Sequence, residues 1–165
     1  MMIGSLLVMV LAAGEAPAQA LTKYEVKTLA LQVPSDWRQS EADGTQRFDD
    51  PTGDAYLLVD VGAVQTAGMK PQVCLDKVLT AMGQEKGWKQ LKLGKAPAAR
   101  RVDMDTTPDG AESVETVTYV GCDGKTTWSL VFHMDVKQKE RFEALVTKVA
   151  NSVAYSKPST SKKGK

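Results

Sequence analysis

Four groups of residues in this sequence have the types and spacing to do chemistry. The first is Arg47-Phe48-Asp49-Asp50-Pro51-Thr52-Gly53-Asp54, which sets three carboxylates within six residues. A calcium loop of the EF-hand kind needs oxygen ligands at alternating positions, Gly at its sixth and a bidentate Glu at its twelfth. Counted from Asp49, those positions hold Asp54 and Asp60; counted from Asp50, the Gly position falls on Ala55. As a turn the stretch is well made. Asp side chains cap local amides, Pro51 fixes φ, and Gly53 admits a positive φ. The second is His133, the only histidine. One imidazole cannot build a His-rich zinc site, and a Cys–His couple with Cys74 or Cys122 would require free thiols. His133 reads as a half-buried imidazole with an ordinary hydrogen-bond partner, and Asp135 beside it as part of a helix N-cap.

The third is the strand face shared by Asp103 and Asp105, with Arg101 two residues earlier. A carboxylate pair for glycoside hydrolysis could use such a face, although solvent-facing charge is its commoner use. The fourth is the pair Cys74 and Cys122, neither in a C-x-x-C motif. In an oxidising compartment an isolated pair is most simply a disulfide. Closing so long a loop contributes roughly 4 kcal/mol on the chain-entropy account. No Gly-x-Ser-x-Gly elbow and no Gly-rich phosphate loop is present. The residues therefore point to no catalytic set, no metal site and no cofactor.

The elements that must position these groups follow from periodicity and turn chemistry. Leu29–Val33 alternates as a strand and stops at Pro34. Asp43-Gly44 predicts a hairpin joining 37–41 to 45–49, and 55–61 is the next strand. Both of its faces carry apolar residues, so helices are expected on both sides of the sheet. Pro71 opens a helix with the stripe Val73, Cys74, Leu75, Val78, Leu79 and Met82, ending near Gly83 or Gly87. Strands at 88–93, 99–105, 113–121 and 125–134 follow, the last two joined at Asp123-Gly124. A final helix over 137–154 stacks Phe142, Leu145, Val146, Val149 and Val153 on one face. Hairpins outnumber crossover connections, so the domain is α+β with a mainly antiparallel sheet of six to seven strands and two main helices.

Residues 1–20 read as a signal peptide, with an apolar run from Ile3 to Ala13 and a small-x-small site at Ala18-Gln19-Ala20. The run is too short to span a bilayer, and no integral membrane segment is expected after cleavage. Of the 21 basic residues, four (Lys157, Lys162, Lys163 and Lys165) lie in a disordered tail over 156–165. The body over 21–155 is thus slightly acidic, which excludes a nucleic-acid binder that presents positive charge on its folded face. The lysine tail suits only a weak, salt-sensitive contact with an anionic surface. Among the aromatics, Trp128 alternates in register with Leu130 and Phe132 and reads as core. Trp37 and Trp88 stand near strand starts, where a rim position would suit an interface anchor. Arg100 and Arg101 could read an anionic partner from opposite faces of one strand.

Leu-Gln-Val-Pro-Ser-Asp-Trp from Leu31, the Phe48-x-Asp50-Pro51 turn and strand that follows, Ala96–Met104, Glu115–Phe132 and Ser152 in the last helix together resemble the PsbP-like fold. The resemblance covers about 29–155. That superfamily includes the photosystem subunit PsbP, the envelope protein DcrB, a Ran-binding import factor and chaperones of type VI secretion effectors. It implies an α/β/α sandwich acting as a binding or assembly module, with no shared catalytic machinery. The reading is an exported, periplasmic or secreted, non-enzymatic module with a Cys74–Cys122 bridge that recognises another envelope or secreted protein. Trp37, Trp88, Arg100 and Arg101 are the residues expected to meet that partner. The alternatives are an envelope hydrolase working from Asp103 and Asp105, a secretion-effector chaperone if the chain is cytosolic, and an inhibitor or immunity protein.

Overall fold

The computed structural model describes residues 19–64, 68–82, 87–106, 110 and 113–156. The leader before Gln19 and the lysine tail after Ser156 lie outside the described residues, as does Gly83. Ten strands and two helices follow in the order β1 (Leu21–Val26), β2 (Leu29–Pro34), β3 (Arg38–Ala42), β4 (Thr45–Asp49), β5 (Ala55–Ala63), α1 (Pro71–Ala81), β6 (Lys89–Leu93), β7 (Ala96–Thr106), β8 (Ser113–Cys122), β9 (Thr126–Asp135), α2 (Lys139–Asn151) and β10 (Ala154–Tyr155). A 3-10 turn, Val136–Gln138, leads into α2, capped by the Asp135 carboxylate, which accepts from the Lys137 N–H at 2.8 Å.

Seven strands form one antiparallel sheet in the order β3-β4-β5-β9-β8-β7-β6, and β1-β2-β10 form a smaller one. The hairpins arise from local chemistry. Asp43 and Gly44 both take positive φ (53° and 81°), as a two-residue primed turn demands. The second hairpin turns one residue later than its sequence suggests. Asp123 hydrogen-bonds Thr126 through its backbone, leaving Gly124 and Lys125 as the central pair, with Gly124 at φ 90°. The Asp123 carboxylate instead accepts from the N–H groups of Lys125 and Thr126, at 2.8 and 2.7 Å.

Strand parity sorts the large sheet into two faces. Phe48, Leu57, Val59, Val61, Val117, Tyr119, Trp128, Leu130, Phe132 and Met134 point into the main core. There they meet Leu29, Leu31 and Val33 of the small sheet and Phe142, Leu145, Val146 and Val149 of α2. Ser152 pins the end of α2 to that sheet: its hydroxyl accepts from the Gln32 N–H at 2.8 Å and donates to the Val149 carbonyl. The opposite face carries a smaller cluster, Leu75, Ala99 and Val120, with Val78, Leu79 and Trp88 packed against it. This is where α1 lies, against β7 and β8.

The helices therefore occupy opposite faces, but α1 shields only the β7–β8 part of its face. Helices on both sides of the sheet are thus present as expected, but α1 does not reach Tyr56. Tyr56 is half-buried by its own neighbours, the Arg47 guanidinium and the His133 ring. Two further elements were absent from the sequence reading, β1 and β10, and α2 ends at Asn151 rather than running to 154.

Candidate functional site

The acidic stretch is a turn and a strut. The Asp50 side chain is fully buried. It accepts from the Thr52 N–H at 3.2 Å, from the Thr52 hydroxyl, and from Arg141 Nη2 of α2 at 3.0 Å. Asp54 accepts from the same guanidinium at 3.3 Å and from the Thr52 hydroxyl at 2.6 Å. Gly53 donates its N–H to the Asp50 carbonyl. Asp50 and Asp54 thus both meet Arg141, and the two carboxylates fix the last helix to the sheet.

Cys74 of α1 and Cys122 of β8 are bonded to each other, with a Cα–Cα distance of 6.0 Å. Both are buried, and neither thiol is free to couple with His133. His133 sits on the α1-side face of β9, beyond the helix. Its Nδ1 shares a 3.0 Å hydrogen bond with the Thr116 hydroxyl, and its ring stacks on Tyr56 at 4.9 Å between centroids. Register aligns a row across this face, Arg38, Asp49, Tyr56, His133, Thr116 and Asp103. Two Arg-x-Asp pairs flank the row. Arg47 and Asp49 on β4 meet at 2.7 Å, and Arg101 and Asp103 on β7 meet at 2.7 Å. In each pair two strand residues of equal parity share a face. The hydrogen bond to Asp49 holds the Arg47 guanidinium above the ordinary arginine range. A small polar space of about 170 Å³ lies beside the middle of the row, lined by Asp54, Tyr56, His133 and Asp135 among others.

The expected partner-facing residues fall in different places. Trp37 is only 5% exposed and packs edge-on to Phe142, so the rim position expected for it is interior. The strand it was assigned to starts one residue later, and Trp37 sits in the preceding turn pointing into the core. Trp88 is half-buried against α1's cluster, with the Arg101 guanidinium over its ring at 5.3 Å. Arg100 and Arg101 do occupy opposite faces of β7. Arg100 donates from Nε to the Tyr119 hydroxyl at 3.2 Å and lies on the core side. Nearby on that side the buried Glu115 accepts from Lys139 at 2.7 Å, and that hydrogen bond raises the Lys139 pKa.

What the sequence reading missed is the outer half of β7. The β6 strand pairs with β7 only as far as Lys89 opposite Arg100, whereas β7 continues to Thr106 with β8 alone. Among the described residues no strand lies on the outer side of 101–106. Val102 is 38% exposed and Met104 is 57% exposed, two of the four exposed large apolar side chains among the described residues. The signal was available: Arg-Val-Asp-Met-Asp alternates apolar and charged without a following hairpin signal. The alternation reports which residues share a face, but not that β6 stops short.

No family model matches this sequence, and no curated protein does. Solved structures do. The solution structure of CyanoP, the cyanobacterial PsbP of Synechocystis, superposes with a TM-score of 0.57 at 10% identity, over 87% of this chain and 97% of that one. LpqN of Mycobacterium tuberculosis, described as involved in cell envelope biogenesis, matches at a TM-score of 0.56 and 13% identity, over 86% and 87% of the two chains. A protein of Bacteroides thetaiotaomicron matches at 0.62 and 13% identity over 79% of this chain, which spans about half (46%) of that protein's length. At these identities it is the fold that is shared, and the chain has the PsbP-like fold.

Proposed function

We propose that this chain is an exported, non-enzymatic binding module that recognises another envelope or secreted protein. The observation that carries the reading is the exposure of Val102 and Met104, 38% and 57%, side by side on one face of β7. Adjacent exposed apolar side chains are what a protein surface retains for a partner. The ionisable groups that could have done chemistry are engaged in structure: Asp50 with Arg141, Glu115 with Lys139, Asp103 with Arg101. A buried disulfide suits an oxidising compartment, and LpqN, described as involved in cell envelope biogenesis, is built on the same fold.

Affinity capture from an envelope extract under native conditions tests the reading. The wild-type chain is expected to retain a saturable protein partner, Val102→Glu/Met104→Glu to lose it, and Tyr56→Ala to keep it. Absence of any saturable partner overturns the proposal. So does a hydrolytic activity abolished by Asp103→Asn/Asp105→Asn, which would restore the enzyme alternative.

A further inference from the structure

We infer that Met104 is a reversible oxidation site controlling the surface on β7: a peroxide turns its thioether into the sulfoxide and so releases the partner. The inference concerns the regulation of the surface proposed above and rests on that reading.

The chain offers an oxidant few soft targets. Both of its cysteines are joined in the disulfide, so no thiol is left to react first. The remaining sulfur is in thioethers, and the fold ranks these by access. Met104 is 57% exposed and Met82, at the end of α1, is 39% exposed. Met69 is half-buried, and Met134 is 2% exposed within the main core. Met1, Met2 and Met9 precede the described residues. Among the described methionines, a peroxide in solution therefore meets Met104 first.

The reaction needs nothing beyond the peroxide. A sulfur lone pair of Met104 attacks one peroxide oxygen, the O–O bond breaks and an S–O bond forms. Sulfur gives up two electrons, and hydrogen peroxide takes them and leaves as water. The product is polar and chiral where the thioether was apolar and flexible. Methionine sulfoxide reductases, one for each epimer, return it to the thioether.

Position decides what the change does. Met104 shares a strand face with Val102, two residues away. In register it stands opposite Glu115 of β8, whose buried carboxylate accepts from Lys139. The new sulfoxide oxygen is an acceptor, and in the free protein water serves it, so the fold is undisturbed. Covered by an apolar partner it would lose that water and gain no donor, which weakens binding about tenfold or more. Met134 is the contrary case, since a sulfoxide there would disrupt the core instead.

The full chain, with its disulfide intact, is treated with graded hydrogen peroxide and mapped peptide by peptide for added oxygen. After the peroxide is removed, it is used in the capture from envelope extract described above. Met104 is expected to gain oxygen before Met82 and well before Met134, with the thermal midpoint unmoved. Retention of the partner should then weaken about tenfold. Both sulfoxide reductases, supplied with thioredoxin, should restore it, with the Cys74–Cys122 bond verified afterwards by mass. Met104→Leu should keep the partner and lose all sensitivity to peroxide. Met104→Gln, polar without any oxidant, should bind as weakly as the oxidised chain. Oxidation of Met82 or Met134 ahead of Met104, or undiminished capture once Met104 is oxidised, overturns the inference. So does an equal loss of capture by Met104→Leu under peroxide, which would place the sensitive group elsewhere. In each of these cases a partner retained by the untreated chain leaves the binding reading standing. If the untreated chain retains no partner, both fall.

Discussion

Replacing Arg141 by Ala removes the one cation among the described residues that reaches the fully buried Asp50 side chain. The carboxylate keeps the Thr52 N–H and hydroxyl but loses a charge-assisted hydrogen bond of 3.0 Å. Leaving a buried charged acceptor short of a donor costs about 1.5–3 kcal/mol. Arg141 is 42% exposed, so water partly replaces it and the lower half of that range applies. Asp54 loses its 3.3 Å contact too, but it is open enough to be resolvated. The guanidinium also lies 4.6 Å from the centre of the Phe142 ring, a contact that adds about 0.5 kcal/mol. The expected loss is about 2–2.5 kcal/mol, a fall in the thermal midpoint on the order of 5–10 °C for a domain of this size. Urea and thermal unfolding followed by tryptophan fluorescence, without reductant, measure it. Asp50→Asn/Arg141→Ala should be less destabilised than the two single changes summed, because the pair acts as a unit. A loss below about 0.5 kcal/mol, or strict additivity, refutes the strut.

Tyr155 offers a pH-dependent test. Burial pushes its phenol up to about 12, and its hydroxyl accepts from Trp128 Nε1 at 2.8 Å. The unfolded chain ionises this phenol near 10, before the folded one does. Stability is therefore held below pH 10 and falls as pH rises toward 12. Tyr155→Phe should remove that part of the alkaline slope in urea titrations and cost roughly 1–2 kcal/mol at neutral pH by orphaning the indole N–H. Cys74→Ala/Cys122→Ala should cost up to about 4 kcal/mol. Hydrogen exchange should show α1 loosening first, since only a small cluster holds it otherwise. Gly124→Ala should cost about 3 kcal/mol in chemical denaturation, combining a positive φ with a Cβ placed 2.1 Å from the Met69 carbonyl oxygen.

Most of the fold was legible because its rules are local. The Asp43-Gly44 turn, the Pro71 helix start and the apolar stripe of α2 each follow from a few neighbouring residues. Elements fixed by distant partners were not legible. β10 is two residues long and exists because Ala154 and Tyr155 pair with Ala30 and Leu29; in sequence they extend a helical stripe. β7 begins at Ala96, although Pro97 argues against a strand there. Pro97 pairs only with Lys92 of β6, beyond the reach of β8, so it sits where β7 has a strand on one side alone, an edge position that tolerates proline. Trp37 was misplaced because a large aromatic beside a turn can face either way, and only the arrival of Phe142 decides it. The β7 edge was invisible for the same kind of reason: where β6 stops is a property of two strands, not of either sequence.

The small sheet sets an order of events for the chain. Its middle strand, β2, takes β1 on one side and β10 on the other, and Gln32 waits for Ser152, 120 residues downstream. A polypeptide that enters its folding compartment from the N-terminus can form the β1–β2 hairpin at once. It cannot cover Leu29, Leu31 and Val33 until α2 and β10 have arrived. Through that interval the most apolar strand near the start of the chain stays uncovered, and completion depends on contacts of the longest sequence separation, which form slowly. The stage most open to misassembly, or to capture by a holding chaperone, is therefore the last one, when nine strands have emerged and the closing helix has not.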